Sequence, residues 1–202
     1  YLFFSHVAKE QSYNRNLLEA VLDEGITLID YEYLTDPTGI RLIAFGRWAG
    51  IVGAYNALRG LGESSGEYHI KPAHECHDRQ EMDSQLEQVI LNKTRILVSG
   101  GGRVAQGAME TLHTLGLREV SPKEYVSDSF EEAVFCRIDP WHYVARNDGE
   151  EFELQHFFQN PAEYHSIALP YLKHTDVYIA AHFWDPESPR MFEIGTLDSG
   201  LG

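Results

Sequence analysis

Ile96-Leu-Val-Ser-Gly-Gly-Gly-Arg-Val-Ala-Gln-Gly107 is an apolar run, then three adjacent glycines, then a segment with helical periodicity. The run reads as a strand that delivers the chain to a sharp turn, where residues without side chains let backbone N–H groups approach a ligand closely. The helix expected to start near Arg103 would aim its positive dipole end at the same place. Gly100, Gly101, Gly102, Arg103 and Val104 therefore read as a cradle for the pyrophosphate of a dinucleotide. Ala105 holds the third position of the Gly-x-Gly-x-x-Ala pattern, with Gly107 two residues on, and both are small enough for close helix-to-strand packing. The pattern alone recurs by chance, so its weight comes from the strand before it and the amphipathic helix after it.

Working outward, the helix is striped by Val104, Ala108, Leu112 and Leu115 and stops at Gly116, and a strand over about Arg118 to Ser121 follows directly. This strand–helix–strand order predicts a parallel sheet. Ala133–Ile138 and Val177–Phe183 are short apolar runs suited to central strands buried on both faces, and a polar, aromatic stretch, Glu150–Tyr171, separates them. Upstream, Asp78 with Glu81 resembles a capping box that opens a helix through Met82, Leu86, Val89 and Ile90.

The first third reads differently. Residues 1–4 suggest a short buried strand, and Asn14 or Asn16 can cap a helix striped by Leu17, Leu18, Val21 and Leu22 that Gly25 stops. Ile26–Leu34 and Ile40–Phe45 then read as a strand pair turned by Asp36-Pro-Thr-Gly39. From Arg47 to Leu61 the pattern is helical, with Trp48, Val52, Tyr55 and Leu58 on one side and Gly46, Gly50 and Gly53 permitting close packing. We expect this helix to cross between domains, with a boundary at 62/63, near the polar Glu63–Gly66. The opening Tyr1-Leu-Phe-Phe4 and the loop-like close Leu197–Gly202 suggest that both ends are truncated.

Lys and Arg total 16 against 31 for Asp and Glu, a formal net charge of -15, so the cationic surface that binds nucleic acid or anionic membrane is missing. No run approaches the ~18 apolar residues needed to span a bilayer. Cys76 and Cys136 match no zinc or disulfide-framework spacing, which fits a reducing compartment, cytoplasmic or mitochondrial. His74-Glu-Cys-His77 lacks a second cluster that could complete a tetrahedral site, so no metal is expected. An NAD enzyme commonly places an acidic side chain at the end of the second strand, whereas NADP enzymes prefer small and basic residues there. Ser121 and Lys123 occupy that position with Glu119 and Glu124 close by, which leans the reading toward NADP while leaving the cofactor as NAD or NADP. His6 ends the opening strand near Lys9 and could exchange protons near neutral pH, and His182 and Trp184 follow the last central strand, where ligands of parallel sheets collect.

Taken together, Phe4-Ser-His-Val-Ala-Lys-Glu-Gln11, Asp30-Tyr-Glu-Tyr-Leu34, Arg41 with Ala44-Phe-Gly46, Trp48-Ala-Gly50, the glycine turn and Phe183-Trp-Asp-Pro-Glu-Ser-Pro-Arg190 are more specific than any one of them. In that order, over nearly the whole chain, they resemble the saccharopine dehydrogenase family. That family includes lysine-forming enzymes and the lysine-ketoglutarate reductase half of bifunctional aminoadipic semialdehyde synthases; alanine dehydrogenase is a more distant likeness. The resemblance implies α/β architecture with two Rossmann-like domains on parallel sheets, the first incomplete in this chain. Residues 1–62 would be part of the substrate domain plus the crossing helix, and 63–202 the dinucleotide-binding domain, with the active site in the cleft between them. It implies that His6 is the acid/base histidine, that Lys9 and Gln11 lie near it, that Glu32 adjusts the charge of the catalytic groups, and that Arg41 pairs with a substrate carboxylate. The family's catalytic lysine upstream of the histidine strand has no counterpart among these residues. The implied reaction is reversible hydride transfer between saccharopine and a nicotinamide, with hydrolysis to lysine and 2-oxoglutarate; the small-molecule substrate is the only partner implied, and an oligomer is compatible with it. An alanine-dehydrogenase-like enzyme and a non-catalytic nucleotide-binding module remain the alternatives.

Overall fold

A computed structural model describes residues 1–192 and Gly195, so the loop expected at Leu197–Gly202 lies outside the described residues. The chain divides into two compact units, Tyr1–Phe45 and Gly46–Gly202.

In the first unit β1 (Leu2–Phe3) pairs in parallel with β2 (Ile29–Asp30), Leu2 opposite Ile29 and Phe3 opposite Asp30. Between them runs α1 (Arg15–Asp23), which starts after Asn14 and is followed by the Gly25 turn. Two expectations are corrected here. The opening strand is not buried, since Leu2 is 62% exposed. The expected strand pair shrinks to a single bridge, Thr35 to Arg41, because Tyr31–Tyr33 winds into a 3-10 turn capped by Asp30, whose carboxylate accepts the Glu32 N–H. The Asp36–Gly39 reversal is present: Asp36 Oδ1 accepts from the N–H groups of Thr38 and Ile40, the Asx arrangement that favours aspartate at this position.

The second unit opens with α2 (Gly46–Ser65). Its inward face is Ile51, Ala54, Tyr55 and Leu58, all fully buried, whereas Trp48 is 47% exposed; the apolar stripe is rotated from the Trp48–Val52 face expected. This helix packs along its length on a later helix of the same unit, the unit that begins at Gly46. Next come α3 (Arg79–Gln85), β3 (Arg95–Ser99), α4 (Arg103–Thr114), β4 (Arg118–Glu119), α5 (Pro122–Ser127) and β5 (Val134–Ile138). Then follow α6 (Pro140–Tyr143), β6 (Val144–Arg146), α7 (Leu154–Gln159), β7 (Tyr164–Ser166), α8 (Leu169–Leu172) and β8 (Val177–Ala180). At the start of α3, Asp78 accepts from the Glu81 N–H, but the Glu81 carboxylate turns to the His77 N–H and the Lys71 ammonium.

Four parallel strands form the sheet, in the order β4-β5-β3-β8, and β6 and β7 make a separate antiparallel ribbon. Alternation along β3 splits the core in two. Ile96 and Val98 join α2, α3 and α4 on one face through Ile51, Met82 and Leu112. Leu97 points the other way, into Tyr125, Cys136, Phe157 and Leu172 from α5, β5, α7 and α8. This is a three-layer α/β arrangement, the Rossmann-like class expected, and it explains why the central strands read as continuous apolar runs.

Where α2 meets α4 the backbones touch. A Cβ on Gly50 would lie 1.8 Å from the Val104 carbonyl oxygen, and one on Gly107 would lie 1.9 Å from that of Arg47. Gly53 is different, with nothing within 4 Å of the position of its Cβ. The two contacting glycines thus fix the height and direction of α4, and with it the turn from which α4 starts.

Candidate active site

In the first unit the chemistry converges on one carboxylate. Glu32 is 1% exposed, held there by the 3-10 turn at Tyr31–Tyr33. The Lys9 ammonium lies 2.6 Å and an Arg41 guanidinium nitrogen 3.0 Å from its Oε1, and His6 Nδ1 lies 2.7 Å from its Oε2. A carboxylate taken this far out of water is tolerated only when countercharges replace the lost hydration. Contact between His6 and Glu32 is close yet poorly directed, leaving His6 Nδ1 and Glu32 Oε2 without an aligned hydrogen bond. His6 has φ 58° and Glu10 φ 52°, the left-handed region that non-glycine residues seldom occupy. Between them the tight turn Val7–Lys9 returns Lys9 to the carboxylate that His6 faces. Backbone strain at a cluster of ionisable groups is a mark of a functional site. Phe4 stands edge-on to the His6 ring, with centroids 4.4 Å apart, and limits its rotation.

The structure therefore brings His6, Lys9, Glu32 and Arg41 together. Gln11 is elsewhere: it accepts from the Tyr13 hydroxyl and lines a cavity of about 560 Å³ with Val7, Ser12, Arg15 and Leu18. Asp30 is a member that residue reading missed. It accepts from the Ser5 hydroxyl at 2.6 Å and from the N–H groups of Ser5 and Glu32. Burial would raise its pKa, but the bonds from the Ser5 side chain and the backbone of Glu32, Ser5 and His6 outweigh that and hold it below the usual value. Its signal was the Asp30-x-Glu32 spacing, in which one side chain ties the turn that buries the other.

In the second unit the glycine turn caps the C-terminal end of β3. Gly100 has φ 109°, and a Cβ on it would meet the Ala181 carbonyl oxygen at 2.9 Å, so glycine is required. A Cβ on Gly101 would meet Asp139 Oδ1 at 2.8 Å, while that of Gly102 would meet nothing within 4 Å. The turn is thus packed beneath and open above. Gly102 is the N-cap of α4 and its carbonyl accepts the Gln106 N–H, so the N–H groups of Arg103, Val104 and Ala105 precede the first helical bond and stay available to an anion. Ser121 instead works structurally: its hydroxyl and N–H bond to the Glu124 carboxylate and cap α5, while Lys123 is exposed on that helix.

Behind the turn, buried Ser99 Oγ lies 2.6 Å from His182 Nδ1 and 2.8 Å from the Tyr178 hydroxyl. Burial pushes the Tyr178 phenol up to about 12 and lowers the His182 imidazole, so both stay uncharged at neutral pH. His182 therefore sits at the turn, as its place after β8 suggested. Trp184 is exposed, and among the described residues no cluster could hold a metal ion.

A parallel three-layer sheet, with a glycine turn closed below and open to a helix N-terminus above, defines a Rossmann-like α/β protein whose turn fits a dinucleotide. No family model matches the chain. It is, however, similar to alpha-aminoadipic semialdehyde synthase of Mus musculus, 28% identical over 95% of this chain and 23% of that protein. The Bos taurus synthase is 29% identical over the same shares, and that of Arabidopsis thaliana 27% identical over 94% of this chain and 21% of its own length. These relatives bear out the resemblance to the saccharopine dehydrogenase family. The chain spans less than a quarter of the length of the curated relatives it matches.

Proposed function

We propose that the chain is the part of a nicotinamide-dependent oxidoreductase that interconverts saccharopine with lysine and 2-oxoglutarate by acting on a CH–NH bond. The single observation that carries the proposal is Glu32, buried and gripped by His6, Lys9 and Arg41 in a chain similar to alpha-aminoadipic semialdehyde synthases. The names of the animal relatives place those proteins in mitochondria, and a mitochondrial or cytoplasmic setting suits the free Cys76 and Cys136.

Gly100, Gly101 and Gly102, with the first N–H groups of α4, would hold the diphosphate, and Gly100 and Gly101 are the positions where any Cβ would fill the cradle's floor. When bound, NAD or NADP supplies hydride acceptance and donation. His6, with one ring nitrogen turned to Glu32, can take the proton from the substrate amine and return it to the carbinolamine. Lys9 and Glu32 set the local charge and hold the imidazole in place. Arg41 spends one of its five N–H donors on Glu32 and is half exposed, so the rest of its fork can orient a substrate carboxylate.

The test is to incubate the full-length protein with lysine, 2-oxoglutarate and either NADH or NADPH and to follow consumption of the reduced nicotinamide. Lysine-dependent consumption is expected. Turnover with pyruvate and ammonia in its place would move the assignment to an alanine-dehydrogenase-like enzyme, and dinucleotide binding without any amine-dependent turnover would leave a regulatory module.

A further inference from the structure

The glycine turn stands where the sheet reverses its order. From β3 the chain builds β4 and β5 on one side, and only later β8 on the other. In open parallel sheets the crevice outside the strand ends at such a reversal takes the ligand. His182 stands at that crevice. The Ala181 N–H donates to the Ser99 carbonyl at 3.1 Å, and the Ala181 carbonyl oxygen and His182 Cα would lie 2.9 and 3.0 Å from a Cβ on Gly100, so the chain beyond β8 is held against the turn.

Behind the turn, three side chains form a directed chain of hydrogen bonds. Ser99 is fully buried, and its hydroxyl meets both the Tyr178 hydroxyl and His182 Nδ1. One hydroxyl proton cannot serve both. The Tyr178 phenol keeps its proton at neutral pH, and Ser99 is its one hydrogen-bond partner among the described residues. Were Nδ1 to donate to Ser99, the Ser99 proton would go to Tyr178 and the phenol proton would be left without an acceptor, which burial penalises. The order that satisfies every group is Tyr178 to Ser99 to His182 Nδ1. An uncharged imidazole that accepts at Nδ1 carries its proton on Nε2. Nε2 bonds to no described residue, yet it is not among the buried atoms left without a partner, so it is open to solvent. The Tyr143 ring, its centroid 5.4 Å from that of His182, limits rotation of the imidazole.

Resting on the dinucleotide reading above, we propose that Tyr178 and Ser99 are positioning residues that lock His182 as the Nε2–H tautomer, and that this N–H donates to the carboxamide oxygen of the nicotinamide. The side of the crevice supports that half of the cofactor, because β8 lies across β3 from the strands that flank the adenine ribose. A neutral donor also suits a neutral acceptor, and such a bond would hold the ring in one orientation for hydride transfer.

The experiment records ring-nitrogen NMR correlations of the full chain carrying isotope-labelled histidine, with His182 assigned by its loss in His182→Gln. His182 is expected as the Nε2–H tautomer in the parent and as a mixture of both tautomers in Ser99→Ala. Saturating NADH should move the His182 Nε2 resonance, whereas ADP, which carries a diphosphate but no nicotinamide, should bind and leave it in place. In a fluorescence titration His182→Leu should weaken NADH by about tenfold, the scale of one hydrogen bond, and hold ADP within about twofold of the parent. His182→Gln, whose amide offers an N–H in place of Nε2, should recover most of the lost NADH affinity. An Nδ1–H tautomer in the parent, NADH that binds without moving His182, ADP that moves it equally, or a His182→Leu protein that binds NADH as the parent does overturns the inference while leaving the dinucleotide reading intact. Binding of neither NADH nor ADP overturns both.

Discussion

Replacing Gly107 by alanine should unfold the second unit at a markedly lower temperature, although alanine is the better helix former by about 1 kcal/mol. The added Cβ would lie 1.9 Å from the Arg47 carbonyl oxygen, whereas ordinary contact begins near 3.4 Å, so α2 must retreat by about 1.5 Å. The obstacle is backbone, which cannot swing away as a side chain end can. Overpacking of this kind costs about 1–3 kcal/mol, and separation of the buried Ile51, Ala54 and Leu58 face from α4 adds to it, so a net loss of about 3 kcal/mol is expected. For a unit of this size that corresponds to a fall in Tm of roughly 6–12 °C. Gly53→Ala on the same helix is the internal control: with nothing within 4 Å of the new methyl, the propensity gain stands alone and Tm should rise by about 2 °C. Circular dichroism melts of both variants beside the unmodified chain decide the matter. A Gly107→Ala protein that melts with or above the parent would refute the claim that backbone contact between α2 and α4 positions the glycine turn.

His6→Ala should lose most amine-dependent turnover and keep its affinity for NADH; unchanged rates would remove His6 from the chemistry. Glu32→Gln leaves the Lys9 ammonium and the Arg41 guanidinium facing a neutral amide, and because those partners are close to half exposed the cost should be roughly 2 kcal/mol, below that of a fully buried pair. Urea denaturation monitored through the first unit's tyrosines would show it, and no change in midpoint would contradict the burial described. His142 and His182 are both held below the ordinary imidazole value of 6.5, chiefly by burial. Their native forms are neutral, so the stability they contribute is complete above about pH 6.5 and is lost as pH falls through their lowered values. Denaturation midpoints at pH 7.5 and 5 should therefore fall less for His182→Gln than for the parent, and an identical fall would remove His182 as a source of acid sensitivity.

The parallel sheet could be read from sequence because its central strands are largely buried, so Ile96–Val98, Val134–Cys136 and Val177–Ala180 stand out as short apolar runs between polar loops. The turn was legible for the same reason, since three glycines between a strand and a helix have few other uses. Strand order was not. Whether β4 or β5 lies beside β3 depends on pairing across the sheet, to which a two-residue strand contributes little local signal. In the first unit, alternating residues in Ile26–Leu34 looked like a strand, but the Asp30 side chain captures the Glu32 N–H and bends the backbone into a 3-10 turn. The cluster around Glu32 came from family resemblance rather than from spacing, because its members are 26 and 9 residues from Glu32 at the extremes and meet only in three dimensions.

The claim on which the rest depends is that the turn at Gly100–Arg103 holds a diphosphate, and a crystal structure of the full chain with NADH tests it most directly. The account predicts phosphate oxygens within hydrogen-bond distance of the N–H groups at the start of α4, with no side chain between them and Gly102. Nucleotide density anywhere else, with the turn vacant at saturating NADH, would contradict it.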